Sequence, residues 1–119
     1  LLTAFPCWNI HEEGNPDAIQ NAVDIYLDQQ DILWILDVGI VNTLEQPIRR
    51  GPPTVWAIDL KTGQVIHRID LGELTCTTSR LQYIVVEYTE DGIPYVYVSD
   101  AATRTIIVYD TCASRGYRV

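Results

Sequence analysis

The chain has 119 residues, 47% of them hydrophobic, and sixteen acidic against eight basic side chains give it a formal charge of −8. No apolar run approaches the roughly 18 to 20 residues that cross a bilayer, so no membrane span is expected. A chain this acidic is repelled by phosphate backbones, which argues against nucleic acid as a partner. It opens at Leu1 without an initiator methionine, and we read it as a fragment.

Taken in chain order, the first extended run is "NAVDIYLD" at 21 to 28, followed by "ILWILD" at 32 to 37, "TVWAID" at 54 to 59 and "QVIHRIDL" at 64 to 71. The same kind of series then returns as "YIVVEYTE" at 83 to 90, "YVYVSD" at 95 to 100 and "TIIVYD" at 105 to 110. These runs are rich in Val, Ile, Tyr and Trp and are bounded by turn residues, which is how strands are written. "KTG" at 61 to 63 and "EDG" at 90 to 92 read as hairpin turns, each with a glycine free to take a positive φ. No stretch sustains a capped helical period.

The runs form a repeat. A shift of 63 lays Asp28 on Asp91, Trp34 on Tyr97, Ile35 on Val98 and Asp37 on Asp100, and a shift of 51 then lays Ile58 and Asp59 on Tyr109 and Asp110. The difference is an insertion in the first copy, within "GIVNTLEQPIRRGPP", where Pro52 and Pro53 are expected to stiffen a loop. Each copy reads as one four-stranded antiparallel sheet, and a period of this size points to β-propeller blades, one over about 18 to 70 and one over about 82 to 119. "ILWILD" supports this, because Ile32, Trp34 and Leu36 point to one face and Leu33 and Ile35 to the other. A sheet with one wet face would alternate apolar with polar residues. A blade between two other blades buries both, so two blades alone are expected to leave an outer face bare on each side.

Together "FPCWNI", "LWILDVGIVNTLEQPIRRGPPTVWAIDLKTGQVI", "SRLQYIVVEY" and "YVYVSDAATRTIIVYD" resemble the yellow and major royal jelly proteins of insects and some microbes, across nearly the whole chain. The resemblance implies an all-β fold, about two four-stranded blades of a six-bladed propeller, secreted to the extracellular space. It also implies a role in one of the family's areas: cuticle pigmentation and melanin chemistry with conversion of dopachrome, binding of biogenic amines, or nutrition. The family commonly carries a cysteine before the "PP" pair and another before the first strand. Here the positions read Gly51 and "NPDAIQNAV", so the disulfide that joins them in the family is not expected.

In a propeller, the loops before the first strand and between the second and third strands share one face, which gathers "HEEGNPDAIQN", "VGIVNTLEQPIRRGPP", "LGELTCTTSRLQ" and "DAATR". Loops on a rigid scaffold are where binding residues sit. Asn21, Asn42, Arg80 and Gln82 are the ligand-binding candidates, against the plainer reading that amides at strand starts satisfy nearby backbone and Arg80 braces a loop. Asp37 and Asp100 end strands on this face and Asp59 and Asp110 on the other, a recurrence that suggests carboxylates bonded to turn N–H groups rather than metal ligands.

Cys7, Cys76 and Cys112 have no C-x-x-C spacing and allow at most one internal disulfide; buried or unpaired thiols are the first reading and a disulfide in an oxidising compartment the second. His11 and His67 lack the neighbours of a metal site, and Ser79, Ser99 and Ser114 lack a nucleophile-elbow context. No metal or cofactor is expected and no catalytic group can be assigned. Trp34, Trp56 and the strand tyrosines are read as packing between blades. Three functions compete: a binder of small aromatic amines or catechol derivatives in the mouth of the ring, a dopachrome tautomerase, and a structural or nutritive protein. The partners expected are the remaining blades of the same chain and such a small molecule.

Overall fold

A computed structural model describes residues 17–42, 47–49 and 51–119. The first sheet joins β1 (Ala22–Leu27), β2 (Ile32–Asp37), β5 (Thr54–Asp59) and β6 (Val65–Asp70) in that order. The second joins β7 (Leu81–Tyr88), β8 (Pro94–Asp100), β9 (Thr105–Asp110) and β10 (Arg115–Arg118). Every pairing is antiparallel between neighbours in sequence, apart from β2 with β5, which spans the insertion. The sheets stack face to face as consecutive blades. Among the described residues, the helical structure is one 3-10 turn at Gly72–Leu74, and no helix is long and apolar enough to cross a membrane.

The stacking follows from the pleat. Trp34 and Leu36 on β2, Val55 and Ala57 on β5 and Ile69 on β6 share one face of the first sheet and are buried against Leu81, Ile84, Val86, Val96, Val98 and Ile107 of the second. Each fully buried residue of this kind contributes roughly 1.5–3 kcal/mol relative to its exposed state. Polar ties from β1 reinforce the contact: Asp24 Oδ2 accepts the Ile84 N–H at 2.9 Å, and Asp28 Oδ2 accepts both the Tyr88 hydroxyl at 2.5 Å and the Trp34 indole N–H at 2.9 Å. Desolvation would raise the Asp28 carboxyl pKa, but the Tyr88, Trp34 and backbone donors outweigh it and hold it below the usual value.

Trp34 and Tyr97 occupy matching places, each opposite the matched residues Ala57 and Val108. The match of Asp28 with Asp91 does not survive. In the pairing Tyr26 corresponds to Val85, because the β7–β8 hairpin runs two residues further on each strand than β1–β2, so Asp91 falls in its tip while Asp28 lies buried under Trp34. Gly63 and Gly92 take φ of 73° and 81° at the two expected turns.

Within the insertion, β3 (Ile40–Asn42) pairs with β4 (Pro47–Arg49) as a two-stranded ribbon in the connection from β2 to β5. Its base is a close crossing: the Gly51 N–H bonds the Gly39 carbonyl at 3.3 Å, and a Cβ at Gly39, whose φ is +71°, would lie 2.3 Å from the Gly51 carbonyl oxygen. Only glycine fits there.

The expectation of a bare face on each side holds most fully on the second sheet and in part on the first, where Ile25 and Leu27 of β1 are exposed on the far face. The far face of the second sheet exposes Tyr83, Val85, Ile106 and Tyr117, the counterparts of Asp24, Tyr26, Val55 and His67, of which the first sheet buries Val55 and half-buries the others. On the first sheet's far face Ile35, Trp56 and Ile58 are buried, packed with Ile19 and Leu33, and the Arg68 guanidinium lies 4.7 Å over the Trp56 ring. Cys76 and Cys112 are unpaired, as expected, but exposed rather than buried, and Cys7 lies outside the described residues.

Candidate functional site

Two aspartates build the loop face. Asp37, at the end of β2, is 2% exposed and accepts the backbone N–H groups of Gln20, Asn21 and Gly39 and the Trp56 indole N–H, all within 3.2 Å. Asp100, at the end of β8, is 1% exposed and accepts the N–H groups of Arg80 at 2.9 Å, Ala102 at 3.2 Å and Thr103 at 3.4 Å. Its other oxygen takes the Arg118 guanidinium at 3.2 Å, and Arg118 also bonds Thr103, Thr105 and the Leu74 carbonyl. Each carboxylate therefore pins the segment entering its sheet. Asp59 and Asp110 do the same on the opposite face, accepting the N–H groups of Lys61, and of Cys112 and Ala113. These contacts account for the recurring aspartates without a metal, and no group of His, Cys, Asp or Glu that could hold one occurs among the described residues.

Between the pinned segments lies an open cavity of about 400 Å³. Asn21 and Val23 line it from the start of β1, Val38, Ile40, Arg49 and Pro53 from the insertion, and Thr75, Thr78, Ser79, Arg80 and Leu81 from the segment leading into β7. The side chain of Asn21 is turned onto the ribbon, donating from Nδ2 to the Ile40 carbonyl at 2.7 Å. Arg49 donates to the Gly51 carbonyl at 3.0 Å and to the Val38 carbonyl at 3.5 Å. The guanidinium of Arg80, which is exposed, makes no hydrogen bond or ion pair among the described residues. A second hollow of about 420 Å³ adjoins, sharing Arg49 and Pro53 and reaching Cys76. Hydrogen bonds from the Ser79 and Thr78 side chains lower the Cys76 thiol to about 7.

Of the four sequence candidates, the cavity brings together Asn21 and Arg80. Gln82 is exposed on β7 and outside the lining, and Asn42 ends β3 with its side chain outside the described residues. Arg49 was missed, although it belongs to the one local basic pair of an acidic chain. His67 stacks on Trp34 at 5.5 Å between ring centroids, and burial lowers its pKa. His11 lies outside the described residues. Ser79 and Ser99 accept the N–H groups of Cys76 and Tyr83, a structural use of both hydroxyls.

Residues 20–119 match the family model described as major royal jelly protein. Among curated relatives, major royal jelly protein 7 of Apis mellifera is 29% identical across 100% of this chain and 27% of its own length. Dopaminechrome tautomerase of Drosophila melanogaster is 29% identical across 99% of the chain and 27% of its own length. Major royal jelly protein 8 of Apis mellifera is 26% identical across 92% and 28%. The chain thus spans little more than a quarter of the length of these three relatives, and on the family-wide match it belongs to the major royal jelly protein family.

Proposed function

We propose that this protein is a secreted member of the pigmentation-associated branch of its family, and that it binds a small catechol derivative or aromatic amine on the loop face. The observation that carries the reading is the cavity: an open volume of about 400 Å³ in which Val23, Val38, Ile40, Pro53 and Leu81 alternate with polar and cationic side chains. Concave sites where polar groups converge on an apolar wall are where small molecules bind. The remaining blades of the same chain are proposed to close the ring and complete the walls.

The relative named dopaminechrome tautomerase supports a second reading, an isomerase of aminochromes. Tautomerisation needs a group that takes a proton and one that returns it. The described lining contains no Asp, Glu, His, Lys, Cys or Tyr, so those groups would have to come from outside it. This favours binding as the function of the part in hand. The royal jelly relatives support a third reading, a structural or nutritive protein.

Calorimetry on the full-length chain with dopamine, serotonin and a catechol acid, beside a spectrophotometric assay of dopachrome decay, separates the three. Saturable binding with decay at the buffer rate is expected. Accelerated decay moves the protein to the isomerases, and silence in both assays leaves the structural reading.

A further inference from the structure

The charge of the cavity narrows its ligand. Its described lining includes two arginines and no carboxylate, in a chain whose formal charge is −8, so the positive lining is a local feature and not the drift of a basic protein. The two cations arrive independently. Arg80 is delivered by its own backbone, whose N–H is held at 2.9 Å by the buried Asp100, and this leaves its guanidinium without a partner among the described residues. Arg49 is delivered by the inserted ribbon, and its two contacts are with neutral carbonyls through Nη1, so its charge is not cancelled there. A guanidinium with unused N–H groups recognises a planar oxyanion through paired, charge-assisted hydrogen bonds. An ammonium group finds the reverse: two like charges and no acceptor carboxylate.

Resting on the binding function proposed above, we propose that the cavity selects small aromatic ligands that carry a carboxylate, with Arg80 as the principal anchor and Arg49 as the second, and discriminates against the corresponding amines. Neutral Asn21, Thr75 and Ser79 then face the uncharged part of the ligand.

The paired probes are dihydrocaffeate and dopamine, which share a catechol ring and a two-carbon arm and differ in the charge at its end. Titrated calorimetrically into the full-length chain at pH 7, dihydrocaffeate is expected to bind roughly tenfold or more tightly than dopamine. Arg80→Gln should remove about that preference, weakening the acid and, with one like charge gone, tightening dopamine, and Arg49→Gln should remove a smaller part. Because the Arg80 side chain makes no described contact, the variant should melt with wild type, which a thermal scan checks. Dopamine binding as tightly as the acid overturns the inference and leaves the binding function standing. An acid preference that survives both substitutions overturns the assignment to these arginines. If neither probe binds, both the inference and the binding function fall.

Discussion

The two sheets use the same clamp and finish it differently. In both, a buried aspartate at the end of the second strand collects backbone N–H groups from the segment entering the sheet and from the turn that follows. The last donor is a neutral indole, Trp56, on Asp37 and a cation, Arg118, on Asp100. The connections differ too: the one from β2 to β5 carries the ribbon of Ile40–Asn42 against Pro47–Arg49, whereas 101–104 make a tight turn between β8 and β9. The first connection supplies Val38, Ile40, Arg49 and Pro53 to the cavity and the second supplies nothing. The shared parts hold the blades, and the candidate site grows where the copies part company.

The sharpest test of that difference is to remove each aspartate in turn. Asp100→Ala strands the partly buried Arg118 guanidinium together with three N–H groups and should cost about 3–5 kcal/mol. Asp37→Ala leaves only neutral donors unpaired and should cost less, about 2–3 kcal/mol. Denaturant midpoints of the full-length chain measure both, and an equal or reversed order breaks the comparison. The acid limb gives a second reading. Burial would raise the Asp100 pKa, but hydrogen bonds from Ser79, the Arg80 N–H, Thr103 and Arg118 outweigh it and hold the carboxyl well below the usual range. A depressed folded value means that this stability is complete above the unfolded pKa of about 3.9 and is lost as pH falls toward the folded one. Wild type should therefore weaken below about pH 4, and Asp100→Asn should be less stable at pH 7 with a flatter acid limb.

A cross-link tests the first sheet alone. A Cβ at Gly51 would stand 3.8 Å from Gln20 Cγ, which places side by side the two regions whose cysteines the resemblance said were missing. Gly51 does not need a positive φ, so it can accept a side chain. Gln20→Cys with Gly51→Cys should close a disulfide on oxidation and raise stability by about 3.5–4 kcal/mol by the loop-entropy account. Comparing oxidised with reduced protein by thermal melting reads it, and no shift would mean that the two chains do not meet as described.

Much of this was legible in the sequence for physical reasons. "ILWILD" has apolar residues on both faces, which only a doubly covered strand tolerates, and aspartates ending four strands fit carboxylates that bond turn amides. The shifts of 63 and 51 located the insertion because they follow β2 and β5, whose partners fix their register. They failed at Asp28 because hairpin length is set by turn chemistry rather than by the strands, and β7–β8 is longer than β1–β2. The cavity was half legible. Asn21 and Arg80 precede strands at matching ends, whereas Arg49 enters only because "IVN" and "PIR" pair into a ribbon, a contact made weakly in sequence by two three-residue strands.

The ribbon's base should be breakable without touching the second sheet. Gly39→Ala adds a Cβ against the Gly51 carbonyl at a φ of +71°, and this should cost about 1–3 kcal/mol and displace Ile40 and Arg49. Catechol affinity should fall with it. Its counterpart at the shift of 63, Ala102→Gly, lies in the turn that supplies nothing to the cavity and should leave affinity unchanged. Equal losses in the two would detach the site from the ribbon.

The smallest effect comes from the outer hairpins, where the copies make opposite choices at one position. At the shift of 51, Gly63 between β5 and β6 has φ of 73° and Ser114 between β9 and β10 has φ of 54°. Both are left-handed, a conformation in which a Cβ crowds the following carbonyl and costs an L-residue roughly 1–2 kcal/mol. Glycine escapes that cost but loses more chain entropy on folding, about 0.5–1 kcal/mol relative to alanine. The first term exceeds the second by a small margin, so Ser114→Gly should stabilise by about 0.5 kcal/mol and Gly63→Ala should destabilise by about the same or slightly more. Ser114 is exposed, so little packing is lost to obscure the sign. Thermal scans of the two variants should move in opposite directions by a degree or so. If Ser114→Gly melts lower than wild type, the hydroxyl stabilises the β9–β10 turn by more than the backbone strain costs it, and the two hairpins are not the interchangeable parts that their matching φ values indicate.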